Sequence, residues 1–316
     1  CKFITFPYSK IRQYNFYRSV QVQDFLYRGL FFTLLAGICW GAVGICYSKG
    51  TEKGESFYPF MFLSSLAVAG FVWISAPPEA APRNEILAVA GVMLPSGFAG
   101  LFGFLSMKKA MEYGYHGIGW CIVQSAMLCP FLAGRLGFGD RVTLWRTGGM
   151  VLLAASLILL GAARQREDAA GGGMGKFIRW ISLAFVLVGI QQTLSMFPSK
   201  MSGLSGAALT WRVPLCSLTG VIWLFFLFAK GCPPMRPVWK PALVYGGFVC
   251  LGQICIYCAI DSLYEANSSG TAYPAACGTC IMLFFIYCMI FRKERLSAGG
   301  WAGLALCIAG MACLAL

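Results

Sequence analysis

The chain has 316 residues, of which 58% are hydrophobic and only 12% are charged, and its formal net charge is +13. A typical soluble protein carries roughly a quarter charged residues, so this composition argues against a water-soluble module and indicates a protein surrounded by lipid. The basic residues stand at the ends of apolar runs rather than in one stripe, so no nucleic-acid partner is expected.

The predicted elements begin with residues 1–28, a basic and aromatic N-terminal tail that we expect at the lipid headgroups. About ten apolar runs follow, each close to the ~20 residues that a bilayer-spanning helix requires. They lie near 30–48, 57–76, 86–107, 117–137, 143–161, 178–197, 206–229, 242–260, 270–291 and 298–316. The polar, Gly-rich stretch 162–177 divides them into two sets of five.

Two segments of the chain, 129–161 and 283–315, follow the same pattern. Each runs from an apolar span through a charged hinge into a second, Gly/Ala-rich span, and the hinges Asp140-Arg141-Val142 and Glu294-Arg295-Leu296 superpose at an offset of 154. An odd number of spans per repeat inserts the second repeat upside down relative to the first. We therefore predict an all-α membrane protein whose ten transmembrane helices form two inverted five-helix repeats, 29–161 and 178–316.

Three stretches of the sequence carry a family resemblance: LLAGICWGAVGICYSKG with Trp40-Gly41, GRLGFGDRVTLWRTGG, and FRKERLSAGGWAGLALCIAGMACL. They resemble the EamA-type domains of the drug/metabolite transporter superfamily, over about residues 30–316. Arg212 matches an arginine that this family often shows early in its seventh span. The resemblance implies a multi-pass protein of the plasma (inner) membrane, with a substrate cavity near the bilayer midplane that opens to each side in turn.

The predicted function is accordingly a secondary transporter that moves a small polar or amphipathic metabolite by alternating access. The sequence has no nucleotide-binding motif, so gradients would supply the energy, and whether a proton or another ion is co-transported stays open. One alternative is a sugar or nucleoside uptake porter of the same superfamily. An alternative of another class is a membrane enzyme or a scaffold without cargo.

Polar side chains inside apolar spans mark candidate substrate contacts, because an unsatisfied polar group is costly in lipid. The candidates are Trp40, Tyr47, Gln124, Ser125, Gln191, Gln192, Gln253, Tyr257 and Tyr273. Gln191 and Gln192 point about 100° apart on a helix, so one could bond a neighbouring helix while the other faces a cavity. Arg212 is expected to snorkel to the membrane interface, and Asp261 and Glu265 to be solvated.

An enzyme is not expected, because His116 is the only histidine and no Ser/His/Asp set, phosphate-binding loop or catalytic residue can be assigned. No cofactor is predicted either. The spacing of Cys255, Cys258, Cys277 and Cys280 matches a four-thiolate zinc pattern, but both pairs stand in apolar spans rather than in polar turns. We therefore expect no metal site.

Overall fold

A computed structural model describes residues 8–51, 57–75, 77–113, 116–140, 143–168, 174–229, 231, 238–266, 268–291 and 298–315. Throughout these ranges the regular structure is helical, and no strand occurs in them. The predicted hinges fall largely elsewhere: Asp140 belongs to the described residues, whereas Arg141, Val142 and residues 294–296 lie outside them.

Thirteen α-helices occur in the described residues. In chain order they are α1 (Tyr8–Thr51), α2 (Phe57–Ser75), α3 (Arg83–Met111), α4 (His116–Gln124), α5 (Leu128–Gly137), α6 (Leu144–Asp168), α7 (Met174–Met196), α8 (Gly206–Leu209), α9 (Arg212–Leu218), α10 (Ile222–Ala229), α11 (Trp239–Glu265), α12 (Ala272–Phe291) and α13 (Ala298–Ala315). Helix α1 starts inside the predicted N-terminal tail, and α6 ends and α7 starts inside the predicted linker. These three helices extend further than the apolar runs alone indicate.

Several helices are joined by short 3₁₀ turns instead of loops. The turn Ser125–Met127 lies between α4 and α5, and Thr219–Val221 lies between α9 and α10. Pro130 explains the first of these turns, because it has no backbone N–H to donate to the carbonyl of Ala126 and its ring crowds that carbonyl. Helices α4 and α5 therefore form one interrupted span.

Seven segments within the described residues are long and apolar enough to cross a membrane. They are Gln23–Tyr47, Phe57–Ser75, Arg83–Met111, Gly175–Lys200, Gly206–Ala229, Trp239–Glu265 and Ser269–Phe291. Large apolar side chains also cover the outside of the bundle, among them Ile74, Leu136 and Leu144, which are more than four-fifths exposed. Such a surface suits lipid rather than water. The prediction of an all-helical integral membrane protein is confirmed at this level.

Contacts between sequence-distant helices hold the bundle together. Helix α1 packs against α11 and α12, α7 packs against α3, α4 and α5, α2 packs against α11, and α6 packs against α13. Small residues permit the closest approach: a Cβ at Gly149 would lie 2.7 Å from the carbonyl oxygen of Gly310. Glycine at these two positions lets the backbones of α6 and α13 touch.

The buried apolar residues form two clusters along the bundle. One is rich in aromatic rings and includes Phe57, Trp120 and Trp223, whereas the other contains Met93, Ile256 and other mostly aliphatic residues. Trp40 and Val249 pack against both clusters. Trp40 and Val249 therefore lie where the two clusters meet, and both line the cavity described below.

Candidate functional site

A cavity of about 210 Å³ lies among the helices near the boundary between the two clusters. This volume is more than ten times the roughly 10–15 Å³ that accommodates a single water molecule. Its wall draws on residues from both predicted repeats, from α1 to α4 in the first and from α7 and α9 to α12 in the second. The cavity can therefore hold a small molecule between the two halves of the chain.

Six of the nine residues predicted to contact substrate line this cavity. They are Trp40, Gln124, Gln191, Gln192, Gln253 and Tyr273. They come from five different helices, α1, α4, α7, α11 and α12, and are brought together only by the tertiary packing. Their role in binding substrate stays a prediction, but a single space adjoins all of them.

The other three predicted residues are not among those that line the cavity. Tyr47 is buried and its hydroxyl donates a hydrogen bond to the carbonyl oxygen of Phe104 at 3.1 Å, while the hydroxyl of Ser125 donates to a carbonyl of its own helix turn. The ring of Tyr257 lies below the guanidinium of Arg212, whose Cζ is 4.7 Å from the ring centroid. The hydroxyls of Tyr47 and Ser125 and the ring of Tyr257 therefore have intramolecular partners.

Gln191 and Gln192 both reach the cavity, although adjacent helical residues point in different directions. The side chain of Gln191 passes close to Gly100, where a Cβ would lie 3.2 Å from its Cδ atom. Gln192 is only 5% exposed. Both were predicted as candidate substrate contacts, and both side chains line the cavity wall.

Trp40 and Tyr273 form one aromatic wall of the cavity. Their rings stack at a centroid distance of 5.8 Å and an interplanar angle of 24°, and the Tyr273 hydroxyl shares a short hydrogen bond with Ser195. Gly252 allows Trp40 to lie flat, since a Cβ there would be 2.8 Å from its Nε1. The stacked pair presents a flat face that is fixed by α7 and α11.

Several lining residues were not identified from the sequence. They include Ser64, Ser65, Phe104, Trp120, Ser217, Thr219, Trp223 and Tyr245. Aromatic residues and single hydroxyls are common throughout apolar spans, and a Ser or Thr can satisfy its hydroxyl within its own helix, as Ser64 does with the carbonyl of Phe60 at 2.6 Å. The sequence around each of these residues therefore does not indicate that its side chain lines a cavity.

An ion pair involves Arg212, which precedes the lining residue Val213 in the chain. Arg212 is only 6% exposed, and its guanidinium donates to the two carboxylate oxygens of Asp261 at 3.0 and 2.5 Å and to Ser199 Oγ at 2.9 Å. The expected snorkelling of Arg212 is therefore wrong, whereas Asp261 is partly exposed as well as paired with Arg212. The carboxylate supplies the partner that allows the guanidinium to remain inside.

A second buried ion pair lies at the same end of the bundle. Lys200 Nζ is 2.8 Å from Asp140 Oδ1, and both side chains are less than a tenth exposed. The other carboxylate oxygen, Oδ2, accepts from the backbone N–H of Gly270 at 2.7 Å and from the hydroxyl of Ser269 at 2.8 Å. The acidic residue of the first predicted hinge thus holds the start of the ninth predicted span.

The polar end of the bundle is defined here by Glu79, Glu85, Asp140, Lys200, Ser205, Arg212 and Asp261. Besides the two ion pairs, the carboxylate of Glu85 accepts from the Ser205 hydroxyl at 2.6 Å and from its N–H at 2.8 Å, and the Trp211 indole N–H donates to the carbonyl of Glu79 at 2.8 Å. Most of these contacts join the first predicted repeat to the second. These contacts hold residues of the two predicted repeats together at this end.

The four-cysteine pattern does not assemble into a cluster. In the part of the chain that the structure describes, no three Cys, His, Asp or Glu side chains lie together so that they could hold a metal ion. The cysteines serve instead as small packing groups; Cys280, for example, is fully buried and accepts a hydrogen bond from the Gln124 amide at 3.4 Å.

Among solved structures, 28 chains match this one. One of them, described only as "Crystal structure of protein", has a TM-score of 0.63 and 16% sequence identity, and the match covers 90% of this chain and 95% of the other. At this identity the likeness shows a shared fold alone. No protein-family model and no curated protein matches the chain.

Proposed function

We propose that the chain is a secondary transporter of the drug/metabolite superfamily, which moves a small polar or amphipathic metabolite by alternating access. The observation that carries this proposal is the cavity of about 210 Å³ among membrane-spanning helices, lined by residues of both predicted repeats. The wall is mainly apolar and aromatic but contains several amides and hydroxyls, a combination that is typical of a small-molecule site and costly in lipid without a function.

The proposed architecture has ten spans in two inverted repeats, with α4–α5 as the fourth span and α8–α10 as the seventh. Exchange of the first five spans with the second five maps the contact of α1 with α11 onto that of α7 with α3. It also maps the contact of α1 with α12 onto that of α7 with α4 and α5, and α6 with α13 onto itself. A pseudo-two-fold relation between the repeats predicts this pattern of contacts, which therefore supports the proposal.

The polar end supports alternating access. Its ion pairs and hydrogen bonds join the two repeats on one side of the cavity, which suits a conformation closed on that side. Opening this end would require the Asp140–Lys200 pair and the Glu85–Ser205 hydrogen bonds to separate. Groups that can exchange such contacts for water suit a gate that closes reversibly. We place the protein in the plasma membrane, as the family resemblance implies.

Uptake of a panel of radiolabelled solutes into proteoliposomes tests the proposal. Two glycines of α3 provide a matched pair of variants: Gly100 lines the cavity, whereas a Cβ at Gly91 meets no atom within 4 Å. Leucine at position 100 should fill the cavity and reduce flux by about tenfold or more, whereas leucine at position 91 should leave flux unchanged.

The proposal fails if folded wild-type protein moves no solute class in either direction. It also fails if Gly100→Leu transports at the wild-type rate while its melting temperature shows that it is folded, because the cavity would then not be the pathway.

A further inference from the structure

Two polar atoms in the cavity wall have no hydrogen-bond partner within the described part of the chain. They are the indole N–H donor of Trp120 and the amide oxygen acceptor of Gln192. The two side chains are 6% and 5% exposed, so both are deeply buried, and both line the cavity. A buried donor or acceptor is almost always satisfied, so an unpaired donor and an unpaired acceptor on two side chains that line one cavity point to a ligand that provides both partners.

The described residues that line the cavity include no Asp, Glu, Lys, Arg or His. An ion that entered such a site would lose its hydration without meeting an opposite charge. Amides and hydroxyls supply the polar groups instead, and they include those of Ser64, Ser65, Gln124, Gln191, Gln192, Ser217, Thr219, Tyr245, Gln253 and Tyr273. The lining therefore disfavours a cargo with a net charge and accepts one that forms hydrogen bonds.

Aromatic rings supply much of the remaining wall. The stacked pair of Trp40 and Tyr273 is joined there by Phe104, Trp223 and Tyr245. Flat π faces pack well against other rings and against the C–H faces of sugars, which gives a ring-shaped solute apolar contact without a requirement for charge.

From these observations, and resting on the proposed function, we propose that the cargo is an uncharged ring-bearing solute of the nucleoside or sugar class. It accepts a hydrogen bond from Trp120 Nε1 and donates one to Gln192 Oε1. Nucleosides and sugars share this chemistry, and the experiment below separates them.

The test measures equilibrium binding to purified protein in detergent, so that it does not depend on transport. Radiolabelled adenosine and glucose are each compared with a charged counterpart, adenosine 5′-monophosphate and glucose 6-phosphate. At least one neutral probe should bind, and its phosphate should bind at least about tenfold more weakly, because the phosphate meets no cation in the wall. Whichever neutral probe binds identifies the class.

Two substitutions test the assigned contacts. Gln192→Leu and Trp120→Phe should each weaken binding of the neutral probe by about tenfold, which is the typical effect of one hydrogen bond. Their melting temperatures show that both variants are folded, a check that is needed because Trp120→Phe shortens a buried ring and Gln192→Leu also removes the side-chain hydrogen bond to Cys277. Trp73→Phe is the matched control, because Trp73 is 57% exposed and lies outside the cavity lining.

The proposal is overturned if neither neutral probe binds, if a phosphate binds as tightly as its neutral counterpart, or if both variants bind like the wild type. Transport of a charged solute in proteoliposomes would overturn this assignment and leave the transporter proposal intact. Absence of flux for every solute class would instead remove the proposed function itself.

Discussion

Removal of the Asp261 carboxylate should destabilise the protein by leaving a charge buried without its counterion. In Asp261→Ala the guanidinium of Arg212 loses two of its four hydrogen bonds, those at 3.0 and 2.5 Å, and keeps those to Ser199 Oγ and the Leu209 carbonyl. Breaking a fully buried ion pair from one side costs about 3–5 kcal/mol. The Asp261 side chain is 37% exposed, so water replaces part of the interaction, and we expect about 2 kcal/mol.

Thermal unfolding in detergent measures this effect. A loss of about 2 kcal/mol should lower the melting temperature by roughly 3 °C. Glu265→Ala is the matched control, because Glu265 is an exposed carboxylate one turn further along α11. The control should melt within about 1 °C of the wild type, as surface substitutions usually do.

A double substitution separates the ion pair from simple side-chain packing. Replacing both partners with leucine removes the buried charge together with its counterion, so the double variant should be more stable than Asp261→Ala. The reasoning is refuted if Asp261→Ala melts at the same temperature as the Glu265→Ala control. It is also refuted if the double variant loses more unfolding free energy than its two single variants lose together.

Three further predictions concern other parts of the bundle. Asp140→Ala should cost about 3–5 kcal/mol of unfolding free energy, because this carboxylate is only 5% exposed and its loss leaves the buried Lys200 without its counterion. The melting temperature of Asp140→Ala should therefore be lower than that of Asp261→Ala, and equal melting temperatures for the two variants would contradict this. Gly149→Ala should destabilise the protein, because its Cβ would lie 2.7 Å from the Gly310 carbonyl oxygen, whereas Gly148→Ala meets no atom within 4 Å and should be neutral or raise the melting temperature. Tyr47→Phe should cost about 1 kcal/mol in thermal unfolding and leave substrate affinity unchanged; a large loss of affinity would place Tyr47 in the site.

The membrane class of the protein follows from the sequence because hydrophobicity is a local property. Helix length and apolar composition are contained in each run of residues, so seven apolar spans found in the structure coincide with predicted runs. The points at which helices begin, end or break are harder to predict from an apolar run alone. The apolar run 117–137 reads as one span, yet Pro130 divides it into α4 and α5, and α1 and α6 continue through polar sequence that was assigned to a tail and a linker.

The candidate site was predictable only in part. Glutamines inside apolar spans are costly and therefore conspicuous, and Gln124, Gln191, Gln192 and Gln253 all line the cavity. Tyr257 sits four residues after Gln253 on the same helix, but Arg212 occupies the position above its ring. The sequence could not show this, because it does not state which helix faces a given side chain.

The sequence by itself determined that this chain lies in lipid as a set of apolar helices, since the need to satisfy every backbone group within a helix and the cost of burying charge act residue by residue. Only the tertiary structure decided that Arg212 pairs with Asp261 inside the bundle and that Asp140 binds Lys200 and the start of the ninth predicted span. It also decided which six polar residues share one cavity. These outcomes depend on the packing of helices that are distant in sequence, because a buried polar group is stabilised by whichever partner another helix brings to it.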